Sequence, residues 1–127
     1  MKKTYLIIEK GKNKRVWGRI KIMNDLMVES ASTVPGLTKK IRKTLLDFYG
    51  ISEIEFNHVY DISAFFSHFE ALNITQLAAL ASINPSLLRQ YASGSKSPTA
   101  KQAAKIEKAI HQLASDLSSV SIYAGED

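Results

Sequence analysis

Ser86, Arg89 and Gln90 lie within the segment NPSLLRQYASG, and each carries a side chain able to bond the edge of a nucleic-acid base. A guanidinium can donate two parallel N–H groups to guanine. A carboxamide can pair with adenine, and a hydroxyl can serve a base edge or a phosphate. Residues three and four apart share one face of a helix. Ser86, Arg89 and Gln90 would therefore project together, with Pro85 at their rim. Pro85, Ser86, Arg89 and Gln90 form the candidate base-reading set. Asn73 and Thr75, at an expected helix N-terminus, together with Ser93, Lys96 and Lys101, form a candidate phosphate-holding set. Four bases (Arg89, Lys96, Lys101, Lys105) and no acid fall between residues 73 and 106. A merely solvated face would more often alternate Glu with Lys.

The stretch NITQLAALASINPSLLRQYASG, residues 73–94, must position these groups. Asn73 with Gln76 three residues later is a capping-box pattern. Leu77, Ala78, Leu80 and Ala81 form an apolar helix face on which small Ala residues would allow a close crossing. Ser82-Ile83-Asn84 reads as the turn, with Ile83 as its buried plug. Asn84 caps a second helix, and Pro85 occupies the first position, where a missing N–H costs nothing. Leu87, Leu88 and Tyr91 point inward. Gly94 ends the helix.

These residues, with Gly94 leading through Ser95-Lys96-Ser97 to Pro98, resemble the helix-turn-helix of the lambda-repressor-like (Xre/Cro) family over about residues 61–118. The resemblance implies an all-α domain whose second motif helix enters the major groove of operator DNA. In two places the chain departs from the family pattern. Ile74 stands where the family often has a bracing Gln, which removes one familiar contact. Ser82 stands where the turn residue is often Gly, which suggests a turn closer to ordinary φ. The alternative for the same residues is a helical hairpin that packs or binds protein and never meets DNA.

The composition narrows the possibilities. The 127 residues fit one or two small domains, and the absence of cysteine excludes disulfides, thiol catalysis and cysteine-based zinc sites. No apolar run approaches a membrane helix. The apolar part of the opening, Tyr5–Ile8, is too short for a secretory signal. A cytoplasmic location is therefore expected. The net charge is +5. Residues 1–60 carry twelve Lys/Arg against six Asp/Glu, whereas residues 61–127 carry five against six. A basic surplus favours anionic partners.

In the first sixty residues, TYLIIE (4–9), VWGRIKIM (16–23) and residues 26–30 read as three strands, the second by its period-two alternation. Asn24-Asp25 reads as a turn. Thr33 caps a helix with Val34, Leu37, Ile41, Leu45 and Phe48 at helical spacing, and Gly50 stops it. EIEFNHVY (53–60) alternates again. The order β-β-β-α-β, the opening KKTYLIIEKGKNKRVWGRI and the following helix-turn-helix together resemble the HicB-like antitoxins. That resemblance implies a partial, non-catalytic RNase-H-like module at 1–60 that holds a small toxin. The family's Asp-Leu-Pro-Gly loop is absent, since Val34-Pro35-Gly36-Leu37 opens a helix instead. The basic run Lys10–Lys21 has two readings. It is either a nucleic-acid or acidic-partner contact with Trp17 as a stacking platform, or a solvated hairpin whose charges discourage sheet-edge pairing.

Asp61 or Ser63 caps the next helix, and its Ile62, Phe65, Phe66 and Phe69 are expected to form core for the repressor-type unit. A last helix is expected from about Pro98 to Ser118, with Ala103, Ile106, Ile110, Leu113, Leu117 and Val120 on one stripe. Leu113, Leu117, Val120 and Ile122 could form a dimer seam or pack back on the first module. Residues 119–127 read as a short acidic tail.

No catalytic chemistry is apparent. His58, His68 and His111 lack neighbouring metal ligands. The pair Glu53/Glu55 could hold magnesium but reads better as a solvated strand face, and no phosphate loop or nucleophile motif occurs. No cofactor and no metal are expected. The sequence thus describes a two-module α+β chain. A HicB-like domain at 1–60 precedes a lambda-repressor-like domain at 61–118. The reading is a dimeric, DNA-binding, autorepressing antitoxin of a type II HicAB-like system with an RNA-cleaving toxin. A regulator without a toxin, a protein-interaction adaptor and, last, a nuclease are the other readings.

Overall fold

The computed structural model describes residues 2–125. It is α+β and divides into two compact units, one ending at Phe69 and the other beginning at Glu70. In the first unit, β1 (Lys2–Lys10), β2 (Val16–Ile22) and β3 (Asp25–Ala31) form an antiparallel meander. Helix α1 (Val34–Tyr49) then returns the chain so that β4 (Ile54–Tyr60) lies parallel to β1, in the sheet order β3-β2-β1-β4. A parallel neighbour requires such a crossover, because a hairpin can join only antiparallel strands.

The strand alternation places Leu6, Ile8, Ile20, Ile22, Ala31 and Ile54 on one face, where they are buried with Val34, Leu37, Ile41 and Leu45 of α1. Full burial of a leucine such as Leu37 or Leu45 stabilises by about 1.5–3 kcal/mol each. Gly18 permits the close approach of helix and sheet, since a Cβ there would lie 2.7 Å from Leu37 Cδ2. The β2–β3 hairpin turns on Met23 and Asn24, both with positive φ, and Asp25 already belongs to β3. The turn therefore sits one residue before the expected Asn24-Asp25. Two residues of positive φ match the twist of the strands they join.

Thr33 caps α1, its side chain accepting from the N–H of Gly36, and Gly50 closes the helix with φ 65°. Phe48 does not continue the apolar stripe. It is 81% exposed, while Tyr49 packs against the core and donates to Asp25 Oδ2 at 3.1 Å. The stripe at 34, 37, 41 and 45 drifts around the helix, and position 49, not 48, falls back over the sheet.

Helix α2 (Ile62–His68) packs on β1 and β4 and sends Ala64 into the sheet core. Tyr60 of β4 meets Phe65 and Phe69 edge-on and stacks on His68. The Phe-rich helix thus counts with the sheet unit, and the division falls after Phe69, not after Tyr60. Phe66 is buried, Phe65 is half-buried and Phe69 is exposed. The Asp61 carboxylate makes no capping bond to the backbone and accepts instead from the Ser63 hydroxyl.

The second unit contains α3 (Ile74–Ala81), α4 (Pro85–Ser93) and α5 (Ala100–Ser118), with α3 packed against both others. Leu77, Ala78, Ala81, Ile83, Leu88, Tyr91, Ile106 and Ala109 are buried. Leu80, expected on the inner face of α3, is 54% exposed. Thr99 caps α5, so that helix begins at Ala100 and not at Pro98. On its expected stripe Ile106 is buried, Ile110 and Leu113 are half-buried, and Ala103 is exposed. Among the described residues, no helix is long and apolar enough to cross a membrane. Within the expected 119–127 tail, Glu126 and Asp127 lie outside the described residues.

Candidate nucleic-acid interface

The α3–turn–α4 unit is built from local rules. Asn73 Oδ1 accepts the N–H of Gln76 at 3.0 Å, and Asn84 Oδ1 accepts the N–H of Ser86 at 2.8 Å. Each cap satisfies a donor that its helix cannot, and is typically worth about 1 kcal/mol. The reciprocal bond from the Gln76 side chain is not formed among the described residues. Ser82 turns the chain at φ 56°, ψ 45°, in the left-handed region and not near ordinary φ as expected. Its N–H and that of Ile83 bond back to Ala79 and Ala78, which closes α3 and drops Ile83 into the interior. Gly94 ends α4 at φ 84°.

Leu88 is fully buried and Tyr91 nearly so, which turns Ser86, Arg89 and Gln90 outward, with Pro85 half-buried at the edge. The base-reading set therefore shares one exposed side of α4. Arg89 does not stand free. Its Nη2 donates to Thr75 Oγ1 at 2.6 Å, linking the outer side of α4 to the first turn of α3. Thr75 is the second residue of α3, so it supplies a brace that Ile74 cannot. A guanidinium has five N–H donors, and one bond to a hydroxyl leaves its other edge available for a bidentate contact.

The candidate phosphate set is less uniform. Thr75 is exposed but its oxygen is engaged by Arg89, and the Asn73 side chain is engaged in capping. The Ser93 hydroxyl donates to the carbonyl of Gln90 and also bonds Ser95, so it belongs to the end of α4. Lys96 and Lys101 are exposed and form no side-chain ion pair among the described residues, which leaves them as the free cations of the set.

At the end of α5, Leu113 is half-buried, while Leu117, Val120 and Ile122 are 59%, 60% and 89% exposed. The helix ends at Ser118. Val120 and Ile122 therefore lie beyond it, and only Leu113 and Leu117 of the expected seam share a helical face.

No group of three His, Cys, Asp or Glu suited to a metal occurs among the described residues. Glu53 precedes β4, and Glu55 pairs with Lys3 at 3.6 Å. Comparison with protein-family models, with curated proteins and with solved structures returns no match.

Proposed function

We propose that the chain is a sequence-specific DNA-binding regulator in which α4 enters the major groove. The observation that carries this reading is the outer side of α4. Ser86, Arg89 and Gln90 project from a helix anchored by Leu88 and Tyr91, in a stretch without acidic residues. Arg89, held by Thr75, pairs with guanine and Gln90 with adenine. Lys96 and Lys101 bind flanking phosphates, and the N-terminal turn of α3 adds its backbone N–H groups. Exposed Leu117 and half-buried Leu113 join two copies, with half-sites about 34 Å apart.

The same reading assigns residues 1–60 to a small protein partner, the toxin of a HicAB-like pair, and makes the protein an autorepressing antitoxin of the cytoplasm. Leu46, exposed on the same side of α1 as Lys39, Arg42 and Lys43, offers that partner an apolar contact set among charge. Selection of bound duplexes from a random pool tests the DNA reading. A single enriched motif, lost in Arg89→Ala and Gln90→Ala, is the expected result. If no motif is enriched, the helical unit is a protein-interaction adaptor.

A further inference from the structure

The sheet of the first unit has helices on one face only. Alternation along the strands places Lys3, Tyr5, Ile7 and Glu9 of β1, Trp17, Arg19 and Lys21 of β2, Val28 of β3 and Glu55 and Val59 of β4 on the other face, with Glu9 opposite Trp17 and Lys3 paired with Glu55. Tyr5 is 63% and Trp17 45% exposed. Both stand on the two central strands of the sheet. An apolar face left for burial against protein would lack charge at its centre. Here Arg19 lies beside Ile7 and Val28 in the register, and Lys21 follows it on the same strand. Arg19 is held by Glu9 at 2.8 Å, while Lys21 forms no ion pair among the described residues.

The cationic character continues around the β1–β2 connection, where Lys10, Lys12, Lys14 and Arg15 follow one another within six residues. Trp17 is set into this connection. A Cβ on Gly11 would lie 2.5 Å from Trp17 Cδ1 and Nε1, so the indole rests against the Gly11 backbone and is held there. Gly11 donates to the carbonyl of Arg15 at 2.8 Å, which pins the loop that carries the bases.

We propose that this open sheet face binds single-stranded RNA, with Tyr5 and Trp17 as stacking surfaces for bases and Lys21 with the 10–15 loop as phosphate contacts. Exposed aromatic rings on the two central strands, with Lys21 and the basic 10–15 loop nearby, provide the two elements that unpaired nucleotides need: a π-face for each base and positive charge along the backbone. Arg19 and Lys3 are paired with Glu9 and Glu55, while Lys21 and the lysines of the 10–15 loop form no ion pair among the described residues and so suit a polyanion. RNA is the occupant because unpaired bases are its ordinary state, whereas a duplex hides its base faces. The site is independent of α4 and does not rest on the reading of that helix.

Trp17 is the only tryptophan in the chain, so its emission reports on this face directly. Titrating the full-length protein with a 12-nucleotide single-stranded polyuridine should quench that emission and raise the anisotropy of the labelled strand in parallel. Affinity should fall with salt, at a log–log slope of about −0.7 for each phosphate held. Tyr5→Ala should weaken binding about tenfold, and Lys21→Ala should flatten the salt slope. Gly11→Ala, which displaces the indole, should weaken binding while Tyr5 stays in place. Arg89→Ala should leave all of this unchanged. Circular dichroism matching the parent excludes unfolding of a variant. Absence of quenching with polyuridine, binding untouched by Tyr5→Ala and Lys21→Ala, or binding lost only in Arg89→Ala overturns the proposal.

Discussion

Replacing Thr75 by valine removes one oxygen and keeps the shape of the side chain, which isolates the brace on Arg89. The bond is short, 2.6 Å, but both residues are exposed. Its loss should therefore change folding stability by less than about 0.5 kcal/mol. DNA affinity should respond more. An unbraced arginine must lose its rotamer freedom when it binds, which costs about 0.5–1.5 kcal/mol, or roughly 2- to 13-fold in Kd. Arg89→Ala should cost about 1–3 kcal/mol on the specific site. If Thr75 acts only through Arg89, the double variant should bind no worse than Arg89→Ala alone, and the coupling energy should equal the whole effect of Thr75→Val. Fluorescence anisotropy on the enriched duplex measures all four corners. Additive losses would falsify the brace and return Thr75 to direct phosphate contact. An unaltered Kd in Thr75→Val would also refute it.

The remaining predictions concern stability. Asn84→Ala removes the acceptor for the Ser86 N–H and should lower unfolding free energy by about 1 kcal/mol in urea titration, loosening the start of α4. Phe48→Ser, at an exposed position, should stay within about 0.5 kcal/mol of the parent, whereas Leu45→Ala three residues earlier should cost about 2–5 kcal/mol. Burial raises the pKa of Tyr60 above its ordinary 10.0. The unfolded chain therefore loses that proton first, and stability should decline as pH climbs beyond about 10. Tyr60→Phe should reduce the decline in denaturation series from pH 9 to 11.

Where local pattern and tertiary packing agreed, the sequence was a sufficient guide. The alternation in β2, the cap at Thr33, the stop at Gly50 and the Asn84–Pro85 helix start all stand where side-chain chemistry puts them. The departures each involve a contact that no local window contains. Phe48 and Leu80 are apolar residues at the edge of a helical stripe, and only the position of the covering element decides whether such an edge is buried. Ser82 enters the left-handed region because the next helix must cross at that point, and propensity alone would have chosen Gly. The Phe-rich α2 is apolar enough to serve either neighbour, and its packing against β1 and β4 is a fact of the sheet, not of its own residues. In the candidate site the exposed side of α4 could be read from spacing. The Thr75–Arg89 bond, between residues fourteen apart, could not. The open sheet face was partly visible in the alternation of β2, but its second ring, Tyr5, needed the strand register to be placed on the same face, level with Lys21 and four residues along β1 from the position opposite Trp17.

The parallel pairing of β1 with β4 also bears on how the chain acquires its shape. Lys2 must find Ile54 and Ile8 must find Tyr60, so the central strand stays half-paired until the segment after α1 has been synthesised. Contacts this distant in sequence slow folding, because chain entropy is lost before the contacts repay it. The helices after Glu70 are close in sequence and can settle quickly. A nascent chain emerging from the ribosome would thus hold an unfinished sheet edge while α1 and β4 are still being made. In that interval β1 is the part of the molecule most open to aggregation or to chaperone capture.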